Sequence, residues 1–349
     1  MVMVEQTEQR QLTSQQTITT TSSSRRGNTV RTGILSNLRA GRSPMQIPRL
    51  RAFLQAHPYV AHAQTESAED VPQALADLAD REVELLMIYG GDGTLQHVLT
   101  ELLKRRTFGE SLPMIAPLRG GSTNMTALDL GAHRNPIKGV ADVLRAIEEN
   151  RLHERVCERH VQHVTSKQGD VDQYGMFFGS GTIYRAIEQV KRIFPTGGAA
   201  QGSFGSALVT SRLIFKRMLR KKSNGMATTD HFRIHLDGTP TGDEDYNIVM
   251  TSTLHRLISG IRPFWGTESA PVRFTAVAAR AEKFGLAVPG LLRGKVNGRI
   301  TVEKGYTSHN IHQAELCLDC GFTIDGELHA PEGRTLIITA TDRLKFVRA

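Results

Sequence analysis

Residues 90–94, with the sequence GGDGT, combine residue types that can bind a nucleotide phosphate. Glycines let a backbone approach an anion closely and point successive N–H groups at it, and a helix N-terminus adds a favourable dipole. Asp92 has the same sign of charge as phosphate, so we expect it to hold Mg²⁺ or to position a hydroxyl. A plain strand-to-helix turn capped by Asp92 is the alternative, but the buried strand before the loop and the amphipathic helix after it favour phosphate binding. The predicted phosphate-binding residues are Gly90, Gly91, Gly93 and Thr94.

A second loop of the same kind lies at residues 119–124, with the sequence RGGSTN. It follows the apolar run 114–118 and precedes a predicted helix at 125–130, so glycines and hydroxyl groups again stand between a strand and a helix. Alone it is explained equally well as a capped turn, whereas two such loops after neighbouring strands indicate a shared role. The residues predicted to bind nucleotide here are Gly120, Gly121, Ser122, Thr123 and Asn124.

Short apolar runs alternate with helical patterns across residues 30–150. The predicted strands are 32–36, 59–61, 84–89 and 114–118. The first predicted helix opens at Pro44 and the second covers 74–79, while Thr94 caps or opens the third. This alternation predicts an α/β domain with a doubly wound, mostly parallel sheet, in which ligands bind beyond the carboxyl ends of the strands. Because the loops near Asn37, Asp92 and Ser122 follow three strands, we expect them to converge on one crevice.

The pattern changes after Arg151, where strands dominate and helices become rare. The predicted strands are 161–164, 175–178, 231–236, 247–251, 272–276 and 315–324. We therefore expect a leader without stable structure at 1–28, a nucleotide-binding domain at 29–150 and a strand-rich α+β second domain at 151–349. The extreme C-terminus is expected to return to the first domain. One amphipathic helix is predicted at 207–222, and its basic end suits either an anionic membrane surface or a solvated face.

The composition restricts the class of protein. The 349 residues carry a formal net charge of +8, which suggests an anionic partner, while an aromatic content of 6% argues against a dedicated nucleic-acid binder. No apolar run is long enough to cross a bilayer, and the acidic N-terminus does not resemble a secretory signal. Three cysteines provide no disulfide framework. We expect a cytoplasmic protein with peripheral contact to the inner membrane surface, and the sequence does not predict an oligomeric state.

Two segments, GGDGTLQHVLTELL at 90–103 and PMIAPLRGGSTNMTALDLG at 113–131, resemble the catalytic domain of the diacylglycerol kinase and sphingosine kinase family. That family shares its nucleotide loop and fold with NAD kinases. Residues 34–41 resemble its first strand and Asn-Pro-x-x-Gly loop, with Leu38 where proline is usual. Residues 322–327 resemble its Asp-Gly-Glu motif.

The resemblance implies ATP and Mg²⁺ in a cleft between two domains, with Asn37 beside the nucleotide and Asp92 as a tentative metal ligand. It also implies Asp325 as the general base for a lipid hydroxyl, diacylglycerol-like or on a sphingoid base, and Glu327 as support for the base or the metal. Without the resemblance, Asp325 and Gly326 predict only a type I′ hairpin turn.

Departures from the family pattern leave other functions open. His97 stands where the family usually has glutamate, and Met125 stands where it often has aspartate, although Glu101 lies on the same helical face as His97. One alternative is an NAD or polyol kinase on the same fold. Another is a nucleotide- or lipid-binding regulator without catalytic activity.

A zinc site is a further possibility that the local pattern disfavours. His309, His312, Cys317 and Cys320 have ligand-like spacing. However, the apolar residues around the two cysteines alternate with the period of a strand. Positions 317 and 320 would then face opposite sides of that strand and could not share one metal.

Overall fold

The computed structural model describes residues 30–41, 43–193, 229–295 and 298–349. The predicted leader at 1–28 and the predicted basic helix at 207–222 lie outside these residues.

The first sheet has six strands in the order β2-β1-β3-β4-β17-β5. Its strands are β1 (Thr32–Asn37), β2 (Ala61–Thr65), β3 (Leu85–Gly90), β4 (Met114–Arg119), β5 (Val156–Arg159) and β17 (Leu344–Val347). All neighbouring pairs are parallel except β17 with β5. The predicted doubly wound, mostly parallel sheet is therefore confirmed.

Helices cover both faces of this sheet. They are α1 (Ser43–Gln55), α2 (Val71–Ala79), α3 (Asp92–Arg105), α4 (Met125–Asp129) and α5 (Pro136–Glu148). Successive strand residues face opposite sides, so Met87 packs in the same cluster as α1 and α5, whereas Ile88 packs with α2 and α3. This two-sided burial explains why β3 reads as an unbroken apolar run.

The second sheet is antiparallel, which confirms the predicted strand-rich second part. Its strands are β6 (Gln162–Ser166), β7 (Asp172–Gly175), β8 (Phe177–Gly181), β9 (Asp230–Leu236), β10 (Thr239–Ser252), β11 (Val272–Ala278), β12 (Tyr306–Ile311), β13 (Ala314–Leu318), β14 (Phe322–Ile324), β15 (Glu327–His329) and β16 (Arg334–Ala340). The order is β15-β14-β8-β10-β9-β13-β16-β6-β7, and β11 branches from β10 with β12 beyond it. Two helices, α6 (Thr182–Ile193) and α7 (Phe284–Leu291), accompany this sheet.

Four predicted strands were clearly wrong in their limits, and one of them, predicted at 247–251, is the long strand β10 that begins at Thr239. The second strand covers 61–65 instead of 59–61, because Tyr59 lies exposed in a turn before it. The predicted strand 175–178 is two strands that separate at Met176. The predicted strand 315–324 breaks after Leu318, and the next strand begins at Phe322, after Gly321, which packs against the ring of Tyr184.

Strands β5 and β17 belong to the first sheet although both come after residue 150 in the chain. The last strand, β17, lies between β4 and β5 and pairs in parallel with β4. The domain boundary at 150 stays a prediction. Among the described residues no helix is long and apolar enough to span a membrane.

Candidate active site

The two predicted glycine loops lie back to back. The N–H of Gly120 donates to the carbonyl of Gly90 at 3.0 Å. A methyl group at Gly121 would stand 2.4 Å from the Cα of Gly91, far inside contact distance. Side chains at these positions would force the loops apart, so glycine is required here by the approach of one loop to the other.

Asp92 joins the first glycine loop to the helix that follows the second. Helix α3 begins at Asp92 with Gly91 as its N-cap, so the prediction that Thr94 caps or opens it was wrong by two or three residues. The buried carboxylate accepts three hydrogen bonds, from the Thr123 hydroxyl at 2.6 Å and from the backbone N–H groups of Met125 at 2.9 Å and Thr126 at 3.1 Å. Asp92 therefore caps α4 across the two loops, which is a role that its position in the sequence did not reveal.

Asn124 completes the second loop from within. Its backbone has a left-handed conformation, with φ of 46°. The side chain folds over Gly121, accepting from its N–H at 2.8 Å and donating to its carbonyl at 2.6 Å. Ser122, by contrast, is exposed beside the loop, where its hydroxyl can reach a ligand.

The loop after β1 joins the same place, as expected. The amide of Asn37 donates to the hydroxyl of Thr94 at 2.8 Å, and its oxygen accepts from the N–H of Arg39 at 2.8 Å. A methyl group at Gly90 would stand 2.5 Å from the side chain of Thr94, so this glycine also leaves room for the contact. The three loops thus meet at the carboxyl ends of β1, β3 and β4.

Asp325 comes from the second sheet and lies close to Asp92. It occupies a two-residue turn between β14 and β15 with φ of 47°, followed by Gly326 with φ of 94°, which confirms the predicted type I′ turn. The residue is only 6% exposed; Oδ2 accepts from the N–H of Met176 at 2.7 Å, and Oδ1 has no hydrogen-bond partner among the described residues. Burial, and then the negative charge of Asp92, raise the pKa of Asp325 well above its ordinary value.

Glu327 lies over the first turn of α3. A methyl group at Gly93 would stand 2.5 Å from its Oε1, and its Oε2 is 3.2 Å from the ammonium of Lys191 on α6. The sequence analysis predicted Gly93 as a phosphate-binding residue and Glu327 as support for the base or the metal, with no link between them. The structure places the two residues in contact. Lys191 was missed, because one lysine at the basic end of a helix has no distinguishing local signal.

A buried polar contact holds α3 against the second sheet. Gln96 donates to the side chain of Gln173 at 2.9 Å, and the hydroxyl of Thr100 accepts from the N–H of Tyr174 at 3.0 Å. Gln96 and Thr100 are both buried. Sequence reasoning missed these residues, since polar groups on an amphipathic helix normally predict its solvent face.

His97 and Met125, the two residues that differ from the family pattern, lie in different surroundings. The side chain of Met125 is buried in the core, while its N–H serves as a donor to Asp92. His97 is partly exposed. Glu101 pairs with Arg105, Oε2 to Nε at 2.6 Å, so it is already engaged on its own helix.

Three of the four residues with zinc-like spacing contact different partners. His309 contacts Glu268 at 2.6 Å, Cys317 lies near the Thr335 hydroxyl, and the sulfur of Cys320 is 3.2 Å from the Ser180 hydroxyl. Within the part of the chain that the structure describes, no cluster of three or more histidine, cysteine or acidic side chains is arranged to hold a metal ion.

The first part of the chain, which contains the converging loops and Asp92, is similar to a known protein family. Residues 31–156 match the diacylglycerol kinase catalytic domain. This confirms the resemblance seen in the two loop motifs, and it supports a kinase of this family. No curated protein matches the chain.

Solved structures share the fold over nearly the whole chain. A candidate diacylglycerol kinase from Bacillus anthracis str. Sterne is 16% identical, with a TM-score of 0.66, and the match covers 92% of this chain and 97% of that one. A diacylglycerol kinase structure from the same strain is also 16% identical, with a TM-score of 0.60 and the same coverage. These likenesses confirm the two-part fold.

Proposed function

We propose that this protein is an ATP- and Mg²⁺-dependent kinase that transfers the γ-phosphoryl group to the hydroxyl of a lipid alcohol. The observation that carries the proposal is that two acidic residues of the second sheet approach the first glycine loop: the charge of Asp92 acts on Asp325, and Glu327 lies against Gly93. The domain match at 31–156 supports the kinase class. A diacylglycerol-like or sphingoid acceptor follows from the family that this domain resembles.

The nucleotide is assigned to the three converging loops. Backbone N–H groups in a glycine-rich loop and at a helix N-terminus attract phosphate oxygens, and hydroxyl groups add donors. The residues proposed to bind it are Asn37, Gly90, Gly91, Gly93, Thr94, Gly120, Gly121, Ser122, Thr123 and Asn124. Within this set, the side chains of Thr123 and Asn124 are proposed to shape the loop, because the Thr123 hydroxyl donates to Asp92 and the Asn124 amide donates to the carbonyl of Gly121. Ser122 offers an exposed hydroxyl to the nucleotide.

The Asp92 carboxylate suits Mg²⁺, which prefers hard oxygen ligands. Its Oδ1 accepts one hydrogen bond and keeps a lone pair for the ion, so Asp92 is proposed as the metal ligand. Glu327, beside Gly93, is proposed to support the metal or the base. When bound, the ion would neutralise charge on the phosphate oxygens.

Asp325 is proposed as the general base. Its raised pKa makes the Asp325 carboxylate a better proton acceptor than an ordinary aspartate, and the N–H of Met176 holds Oδ2 while Oδ1 has no hydrogen-bond partner among the described residues. The lipid hydroxyl would attack the γ-phosphorus and pass its proton to the Asp325 carboxylate, while the bond from the γ-phosphorus to the β,γ-bridging oxygen breaks and ADP leaves. Glu327 is proposed to support this arrangement at the start of α3.

The test is incubation with labelled ATP and a total lipid extract, followed by identification of the labelled products. A labelled lipid is expected, and Asp325→Asn should abolish it. Asp80→Asn is a matched control, because Asp80 is exposed at the end of α2. A labelled water-soluble product with no labelled lipid would refute the lipid acceptor.

Parallel reactions separate the alternatives. NAD and a soluble polyol replace the lipid extract in two of them, and a labelled product there would assign the chain to a different acceptor class. Nucleotide binding with no product in any reaction would instead indicate a regulator without catalysis, an alternative motivated by His97 and Met125, which depart from the family pattern.

A further inference from the structure

Helix α7 (Phe284–Leu291) has no polar residue, although it lies at the surface. Phe284, Ala287 and Leu291 are buried against the core. Val288 is partly buried against the same core, whereas Gly285, Leu286 and Pro289 face outward, and Leu286 is 63% exposed. A surface helix normally has a polar outer face, and a helix that is apolar all round is normally buried. The outer face of α7 therefore has the composition of a covered surface.

A second exposed apolar side chain lies beside this helix. The N–H of Glu282 donates to the carbonyl of Lys304 at 3.1 Å, and a methyl group at Gly290 would stand 3.0 Å from Ile300. Residues 301–305 form a turn, with the N–H of Lys304 donating to the carbonyl of Thr301 at 3.2 Å, and this turn lies next to the residues that precede α7. Val302, which is 57% exposed, belongs to this turn.

Basic residues surround these apolar side chains. Lys283 lies at the N-terminal end of α7, and Arg293 and Lys295 follow its C-terminal end, all three exposed. A cation at a helix N-terminus opposes the helix dipole, so helix stability does not explain Lys283. Over residues 282–304 five basic residues outnumber two acidic ones.

We propose that this surface, formed by α7 and residues 300–304, docks the protein on an anionic membrane. Leu286 and Val302 would enter the region between headgroups and acyl chains, and the basic residues would face lipid phosphates. The charge around the patch favours an anionic bilayer over a neutral one. The docking rests on the proposed lipid acceptor for its purpose, but it is measured without ATP, so a failure of transfer and a failure of docking can be distinguished.

The test is co-sedimentation of the full chain with phosphatidylcholine vesicles, with and without phosphatidylglycerol. The protein is expected to bind the vesicles with phosphatidylglycerol, more weakly as salt rises, and to leave the neutral ones. Leu286→Asp should weaken binding at least about tenfold, because an apolar side chain is lost from the bilayer. Leu286→Phe should retain binding. Arg293→Gln and Lys295→Gln should each weaken it about fivefold.

Met45→Asp is the matched control, since Met45 is 58% exposed on α1, and it should bind like the unmodified chain. Each variant keeps residues 207–222, so any binding by that segment is common to all. Thermal unfolding of Leu286→Asp should equal that of the unmodified chain. Absence of binding to the anionic vesicles overturns the proposal and leaves an acidic protein as the partner to test. Equal binding by Leu286→Asp and Met45→Asp overturns it as well.

Discussion

Replacing Asp92 or Asp325 by asparagine should change the stability of the protein in opposite directions. The carboxylate of Asp92 accepts three hydrogen bonds, whereas burial and the charge of Asp92 disfavour the charged form of Asp325. Asp92→Asn places an amide nitrogen against donors that now point at carboxylate oxygens, the Thr123 hydroxyl and two backbone N–H groups at the start of α4. A hydrogen bond to a charged group contributes about 1.5–3 kcal/mol, and a buried donor left without a partner costs about 1–3 kcal/mol. We expect the free energy of unfolding to fall by about 2–4 kcal/mol.

Asp325→Asn should leave stability unchanged or raise it. The raised pKa of Asp325 means that the folded protein holds its proton more tightly than the unfolded chain does. The free energy of unfolding therefore falls as pH rises from the unfolded pKa, about 4, towards the raised folded pKa. Asparagine keeps an oxygen for the N–H of Met176 and removes this loss near neutral pH.

Urea unfolding at neutral pH, followed by circular dichroism, measures both effects. Both variants should lose phosphoryl transfer, Asp92→Asn through the displaced loops and Asp325→Asn through the missing base. Asp80→Asn should match the unmodified protein in both assays. An Asp92→Asn protein as stable as the unmodified one would refute the capping role. A loss of more than about 1 kcal/mol in Asp325→Asn would show that its hydrogen bond outweighs its buried charge.

Three further predictions concern the glycine loops, the base and the contact between the two sheets. Gly121→Ala should weaken binding of a fluorescent ATP analogue at least about tenfold, because the new methyl group meets the backbone of Gly91. Gly298→Ala is the control and should leave this binding unchanged, because the space around Gly298 is open. The kcat/KM for transfer should rise with pH as Asp325 loses its proton, through a pKa above that of an ordinary aspartate, and a flat profile would contradict its role as base. Thr100→Val should lower the free energy of unfolding by about 1–2 kcal/mol in a urea titration, because it removes the acceptor for the partly buried N–H of Tyr174 in β7. An unchanged midpoint would show that this contact contributes little.

Local features of the sequence were sufficient wherever neighbouring residues decide the conformation. The strand 85–90 and the helix after it were predictable because burial on both faces, or on one face, leaves a periodic pattern. The turn at Asp325 and Gly326 was predictable because positive φ is a preference of these two residue types. The order of loops along a parallel sheet also predicted their convergence.

Only the tertiary structure decided what each polar group contacts. Asp92 was expected to organise a metal or a hydroxyl, and its use as a cap for α4 depends on the packing of two loops that are separated in sequence. The contact of Glu327 with Gly93 likewise joins segments from opposite ends of the chain. Backbone preference is set by a few adjacent residues, whereas such contacts depend on how whole elements pack. The residue types at the site were therefore evident in the sequence, and their partners were determined by the fold.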